Sequence, residues 1–474
     1  MNKKNGSKWT SLATVPILGQ APRFPPLLLL FLLLTGCAST ARFPDNPALN
    51  DVIVPETGHG LAEKDNGDIL LLLSFSGGGS RASALAYGVL EQLRRTPLKS
   101  GSQSLLDEVD MISAVSGGSI TAAYFGLYGE RLFRDFRKDY LERDISQELK
   151  STLLSPNSLS RLSSDTFGSG DLLDEYLRKR LFGDTPLSQL LDSKGPYIQI
   201  NATDLFKGGR FSFTAEQFAL ICSDIDGFPV ARAVAASSAV PLIFTPITLT
   251  NRANSCGYTA PEWIRKTTIE EEPNSRRSRA AHYMSTYLDR EKHPYIHLLD
   301  GGLTDNLGLR AIIDRIEVEE GLWNTLQRFN QEKVKHIALI TVDASATTAS
   351  KWELSAAAPP VEAVLDAATT APLENYNFET LEHLRNNLPK WIEEVQQASC
   401  QSSDGCKGPE LYFIELHLDS IPDPAVRARL TSVATNFSLP EGIPAQLINA
   451  GKKLLQLHPE YRRLLKNSGA GDTP

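Results

Sequence analysis

The chain has 474 residues, 41% of them hydrophobic and 22% charged, which is ordinary globular usage and excludes a disordered, collagen-like or coiled-coil protein. A formal charge of -8 lacks the basic footprint of a nucleic-acid binder, so no nucleic-acid partner is expected. The five cysteines, Cys37, Cys222, Cys256, Cys400 and Cys406, are too few and too scattered for a disulfide scaffold, and no CxxC pair points to zinc.

The N-terminal segment carries Lys3, Lys4, Lys8 and Arg23 and no acid, and leads into the apolar run Leu27 to Leu34. Eight residues at 1.5 Å each give roughly 12 Å of helix against a hydrocarbon core of about 30 Å, so the run is a signal-peptide core and not a membrane span. Leu34, Thr35, Gly36 and Cys37 follow one another as in a bacterial lipobox, in which the cysteine is acylated and becomes the new N-terminus. Residues 1–36 are therefore expected to be a lipoprotein signal peptide. Cys37 is the expected lipidation site, which would give the chain a membrane partner through an acyl anchor. Ala38 follows the lipid cysteine where an Asp would resemble an inner-membrane retention signal, so the expected location is the cell envelope, at the outer membrane facing the periplasm if there is one. Loss of four of the 48 basic residues leaves 44 against 56 acidic ones, or -12. Among the other cysteines, Cys222 with Cys256 and Cys400 with Cys406 are possible pairs in an oxidising compartment, or all four stay as thiols.

Residues 37–67 are polar and rich in Pro and Asn and are expected to form a tether. Structure is expected from residue 68 onward. Ile69 to Phe75 is a continuous apolar run stopped by three glycines, which predicts a strand buried on both faces, followed by a helix over Ser80 to Arg95. Between them lies Ser76-Gly77-Gly78-Gly79-Ser80-Arg81, where backbone N–H groups and a helix start favour an anion or a developing oxyanion.

A second strand, Val109 to Val115, runs into Ala114-Val115-Ser116-Gly117-Gly118 and a helix over Ser119 to Tyr128. This is a GxSxG-like elbow with Ala114 in the first position, where a sharp turn presents the Ser116 hydroxyl above the sheet. Further strands are expected at Pro196 to Thr203, Ile296 to Leu299 and His336 to Val342, with a helix over Arg310 to Glu320. Asp300-Gly301-Gly302 ends the short run Leu298-Leu299. If strand C-termini share one edge of a parallel sheet, Asp300 converges there with Ser116 and the glycine loop, as a base for an otherwise poor nucleophile. The segment Ala356 to Ser399 reads as helical, Leu411 to Leu418 as a late strand and Ala445 to Leu465 as a closing helix. Alternation of strands and helices predicts an α/β fold with a largely parallel sheet in one domain, residues 68–474, without an internal repeat.

These three sites, in this order and each after an expected strand, resemble the patatin-like phospholipase family, with its GGGxR loop, GxSxG elbow and DGG or DGA motif. The block Ala235 to Pro241 is similar to that family's small-residue segment before a Pro. The resemblance implies a three-layer α/β/α sandwich with a mostly parallel central sheet and a Ser116–Asp300 dyad that needs no metal, nucleotide or other cofactor. Gly77, Gly78 and Gly79 would supply oxyanion donors and Arg81 would position that loop, while Gly117, Gly118, Gly301 and Gly302 would support the elbow and the aspartate. His336, His383, His417 and His458 follow Asp300 in the chain, but none sits in a Gly-rich turn, so each is expected to be a packing or surface residue.

The implied activity is that of a membrane-anchored serine esterase or phospholipase acting on lipid or other acyl esters. The alternatives are an acyltransferase or soluble-ester hydrolase with the same dyad, or a non-catalytic envelope interaction protein on a hydrolase fold. Segments 151–170 and 251–287, polar with scattered apolar residues, are expected to flank the active-site mouth.

Overall fold

The computed structural model describes residues 40–50, 67–98, 104–191, 195–265, 275–345, 351–400 and 408–469. The expected signal peptide, Cys37, most of the expected tether and Cys406 lie outside them. Among the described residues no helix is long and apolar enough to cross a membrane.

Strand β1 (Ile69–Phe75) leads into helix α1 (Gly79–Arg95), and β2 (Val109–Val115) into α2 (Gly117–Tyr128). After several helical turns between Leu132 and Leu191 come β3 (Tyr197–Asp204), β4 (Gly209–Ser212), α3 (Ala215–Leu220), α4 (Val230–Ser237) and β5 (Ile247–Thr250). Then follow α5 (Arg276–Thr286), β6 (Tyr295–Asp300), the short α6 (Gly302–Asp305), α7 (Arg310–Val318), α8 (Leu322–Arg328) and β7 (His336–Asp343). The chain closes with the long α9 (Val361–Ser399), β8 (Glu410–His417), α10 (Ile443–Leu457) and α11 (Pro459–Ser468).

The sheet has the order β5-β6-β3-β2-β1-β7-β8, with β4 also paired to β3. Its centre is parallel from β3 through β8, while β4, β5 and β6 are antiparallel to their partners. The layers are those expected. Leu71, Leu73 and Phe75 of β1 enter one core with α1, α2 and α10, while Leu70 enters another with α7, α8 and α9. A strand covered on both faces has no polar side to alternate with, which is why β1 reads as a continuous apolar run.

Two details depart from the sequence reading. The closing helix is two helices, because Pro459 cannot donate to the preceding turn and instead starts α11 after His458. Residues 40–50, expected as tether, dock on the domain: Asn46 is buried, donates to Ser223 Oγ at 2.9 Å and the Thr250 carbonyl at 3.0 Å, and accepts the Thr250 N–H at 2.7 Å. This covers an edge strand that would otherwise expose unpaired backbone groups. Cys222 and Cys256 are joined in a disulfide with Cα atoms 5.6 Å apart. Cys400 is also disulfide-bonded, with its partner outside the described residues.

Candidate active site

Ser116 ends β2 with φ 52° and ψ -124°, a conformation that a non-glycine residue holds only when its surroundings enforce it. The enforcement comes from both sides. Its N–H donates to Ser237 Oγ at 2.8 Å, and that hydroxyl donates in turn to the Asn201 carbonyl at 2.6 Å. The backbone of Gly79 passes so close to Gly117 that a side chain at Gly117 would collide with the Gly79 carbonyl. Neighbouring serines are committed elsewhere: Ser113 Oγ donates to the Gly308 carbonyl and Ser119 Oγ to the Ser116 carbonyl, each at 2.6 Å. Gly118 packs against Phe75 and Ser76.

Ser116 Oγ donates to Asp300 Oδ2 at 2.6 Å. The other carboxylate oxygen, Oδ1, accepts the Gly302 N–H at 2.8 Å, so the ring of contacts fixes which oxygen faces the nucleophile. The Asp300 N–H donates to the Ala239 carbonyl at 3.0 Å and the Gly301 N–H to the Ser237 carbonyl at 3.2 Å. Both turns are thereby tied to the small-residue block after α4. Ser116 is 3% and Asp300 8% exposed. Burial raises the Asp300 carboxyl from 3.8 to about 6, against the lowering effect of the hydrogen bonds from Ser116 and Gly302. A carboxyl tuned toward neutrality accepts a proton from a hydroxyl more readily than an ordinary aspartate, which is the property a general base requires.

The strand geometry behind this contact differs from the shared edge expected of a parallel sheet. β6 runs antiparallel to β3. β3 pairs β2 through Tyr197–Asn201, the last pair being Asn201 with Val115, and then continues past the end of β2. β6 pairs only the overhang, with Ala202 opposite Asp300, Thr203 opposite Leu299 and Asp204 opposite Leu298. The end of β6 thus descends onto the end of β2 from the opposite direction, and Asp300 arrives beside Ser116.

The glycine loop divides by function. Gly77 donates its N–H to the Asn306 carbonyl at 2.9 Å, so it is engaged in fixing the loop and not free for an oxyanion. Gly78 (φ 130°) and Gly79 (φ 58°) adopt left-handed backbone and lead into the first turn of α1, where backbone N–H groups can donate to an anion. Ser80 N–H donates to the Asn436 carbonyl at 2.9 Å. Arg81 is buried and staples the loop: Nε donates to the Ala344 carbonyl at 2.8 Å, and the two terminal nitrogens reach the Val433 carbonyl and Thr435 Oγ1. Burial lowers its pKa from 12.5 to about 10, opposed by the nearby Asp343. The sequence reading named Ser116, Asp300, the loop and the block that contains Ser237, but not Asn306 or Asn436, whose partners lie far away along the chain.

None of the four histidines after Asp300 is a hydrogen-bond partner of Ser116 or Asp300 among the described residues. His336 contacts Tyr412 Oη, His383 lies 3.4 Å from Glu317, His417 lies 3.6 Å from Asp343, and His458 precedes α11. The segment Asn251–Tyr287 is likewise not at the dyad: Tyr258, Trp263 and Tyr283 line a different cavity, which includes neither Ser116 nor Asp300. Segment 151–170 contacts the chain after the small-residue block, through Ser169, which accepts the Thr245 N–H at 2.9 Å.

A family profile described as patatin-like phospholipase matches residues 73–313, just over half of the chain. No curated protein matches. Among solved structures, human GIVD cytosolic phospholipase A2 is similar at 13% identity and a TM-score of 0.45, covering 84% of this chain and 60% of that one. The same human protein in complex with methyl gamma-linolenyl fluorophosphonate matches at 14% identity and a TM-score of 0.40, covering 87% and 63%. VipD from Legionella pneumophila matches at 12% identity and a TM-score of 0.26, covering 89% and 73%. The chain thus spans about 60% of the length of the human structure it matches. On the strength of the profile over the loop, the elbow and the aspartate, the chain belongs to the patatin-like phospholipase family.

Proposed function

We propose that the chain is a serine hydrolase of acyl esters in lipids, working through Ser116 and Asp300. The observation that carries this reading is the 2.6 Å bond from Ser116 Oγ to Asp300 Oδ2, inside a buried turn and without an intervening histidine. In the first step Asp300 takes the hydroxyl proton as Ser116 Oγ attacks the ester carbonyl. The resulting oxyanion forms beside Gly78 and Gly79, whose N–H groups at the start of α1 stabilise it. Collapse expels the alcohol, which takes up the proton held by Asp300, and leaves an acyl-serine. Water then attacks the acyl-enzyme with Asp300 again as base, releasing the carboxylic acid and restoring the dyad.

A lipid substrate is favoured by the family and by apolar side chains near the site. Leu242 and Ile243 are exposed just beyond Ala239, whose carbonyl holds Asp300. We further propose that acylation at Cys37 anchors the enzyme in the cell envelope, at the outer membrane where there is one. Concentration at a lipid surface would then substitute for electrostatic attraction, which an acidic chain lacks.

The test is mass spectrometry of the lipid products released by the wild-type chain and by Ser116→Ala. Fatty acid and lysolipid formed by the first and not by the second is the expected result. Equal release by both, or no covalent labelling of Ser116 by a fluorophosphonate, would remove the hydrolase reading.

A further inference from the structure

A cavity of about 1650 Å³ lies on the face of the sheet away from α1 and α2, between the strands and α5, α7, α8 and α9. Packed interiors leave few voids larger than a water, and ligand pockets run to roughly 300–1,000 Å³, so this space is on the scale of a binding site. Its floor is apolar, formed by Leu70, Leu72 and Met111 of β1 and β2.

Three arginines meet at this cavity: Arg276 and Arg279 in the first turn of α5, and Arg310 opening α7. None of the three has a carboxylate partner among the described residues; Arg310 lies instead over the Tyr376 ring, 4.8 Å from its centroid. They face one stretch of α9, since Tyr376 feels Arg310 and Arg279 while His383 feels Arg276 and Arg310. Neither helix has an acid in its first turn. Cations at the positive end of a helix dipole repel it, and the arrangement is stabilised when an anion sits between them. Glu379 and Glu382 line the cavity from α9 but are exposed and do not pair with these arginines.

A second observation is independent of the charges. Gln217 of α3 is 2% exposed and lines the cavity, yet neither its amide oxygen nor its amide nitrogen has a partner. A buried amide left without hydrogen bonds costs stability unless something else satisfies it.

We propose that this cavity is a second lipid site, separate from the dyad, which takes a single acyl chain with an anionic head. The head sits among Arg276, Arg279 and Arg310, the chain lies over Leu70, Leu72 and Met111, and Gln217 completes the polar contacts directly or through water. Both a long-chain carboxylate and a lysolipid phosphate have this chemistry. The site does not depend on the reaction assigned to Ser116.

The experiment titrates the purified full chain with cis-parinaric acid, after treatment with an alkyl fluorophosphonate to fill the dyad and a mass measurement to verify it. Saturable fluorescence enhancement is expected, weakened at least about tenfold in Arg279→Glu/Arg310→Glu, in line with the loss of two charge-assisted contacts. Hydrolysis of a short soluble ester by that double variant serves as the check on folding. Should it fail to fold, the single variant Arg279→Gln is expected to weaken binding several-fold. Displacement by oleate but not dodecyl phosphate assigns the carboxylate, and the reverse assigns the phosphate. Absence of saturable binding, or equal binding by wild type and the folded arginine variants, would overturn the proposal. Failure to take up the phosphonate would count against Ser116 as nucleophile, and the arginine variants would still decide the cavity.

Discussion

Asn436 accepts the Ser80 N–H at 2.9 Å, so a residue far beyond the family match at 73–313 holds the loop that precedes α1. The same stretch supplies Val433 and Thr435 to Arg81, and Phe437 packs edge-on against Phe244 beyond the small-residue block. The C-terminal part of the chain therefore belongs to the architecture of the candidate active site.

Gly79 is the position where this dependence is easiest to test. It has φ 58°, and a methyl group there would collide with the Asn436 carbonyl. Gly79→Ala is expected to displace the loop and lower kcat by about 10²–10³-fold, the loss typical of one oxyanion donor, with a smaller change in KM. Arg81→Lys, which keeps the charge but loses the planar fork, is expected to act in the same direction. Steady-state kinetics on a soluble ester measure both; a change confined to KM would show that the loop serves binding and not the transition state.

The pH dependence follows from Asp300. Its pKa is raised to about 6 by burial, so activity that needs the carboxylate is expected to fall as pH drops through about 6. For stability the sign is opposite to that of a salt-bridged carboxylate. The folded chain holds this proton more tightly than the unfolded one, whose aspartate titrates near 3.8. The penalty is absent below that pH and complete above about 6. Asp300→Asn is expected to be inactive yet up to about 3 kcal/mol more stable than wild type at pH 8, with no gain at pH 4. Asp305, also raised to about 6 by burial, contributes to both proteins alike and cancels in the difference. Urea titrations at the two pH values make the comparison, and a gain of equal size at both would refute the assignment.

Arg232 is 1% exposed and pairs with Asp171 at 2.9 Å and Asp174 at 3.3 Å, besides donating to the Thr248 carbonyl at 3.1 Å. It anchors α4, the helix that presents Ser237 to the elbow. Arg232→Ala leaves the buried Asp171 without its cation and Asp174 with Arg178 alone, and is expected to cost about 3–5 kcal/mol. Adding Asp171→Asn and Asp174→Asn is expected to recover part of that loss. Chemical denaturation distinguishes this from a merely local effect, in which the added substitutions would change nothing.

Reducing the Cys222–Cys256 bond opens a loop of sequence separation 34. Chain-entropy arguments put the expected loss at about 4 kcal/mol. The double variant Cys222→Ala/Cys256→Ala should show it as a lowered midpoint in urea, with hydrolysis of a soluble ester retained under folding conditions.

Much of the architecture was legible because its signals are local. The bounds of β1 and β2 are those read from the sequence; β1 is a nearly continuous apolar run as a strand buried on both faces requires, and glycines follow each strand closely. The short strands Gly209–Ser212 and Ile247–Thr250 were not read, because four residues carry too little periodicity to stand out. The direction of β6 was not legible either; whether a strand pairs parallel or antiparallel depends on what it meets and not on its own residues. Ser116 and Asp300 could be named from their turns, whereas Asn306 and Asn436 act through backbone carbonyls that any residue type carries. The break before Pro459 did have a local signal, a proline at the first position of a helix, within a stretch whose apolar spacing continues across it.

Because β6 meets β3 through only three residue pairs, the proposed dyad rests on a short piece of register. A slip of one residue would carry Asp300 about 3.4 Å along the strand and turn its side chain to the other face of the sheet. The fold could survive such a slip with most of its core intact, but the proton acceptor would be gone. Recovery of esterase activity during refolding would therefore report the correct docking of β6, an event that bulk measures of compactness would pass over.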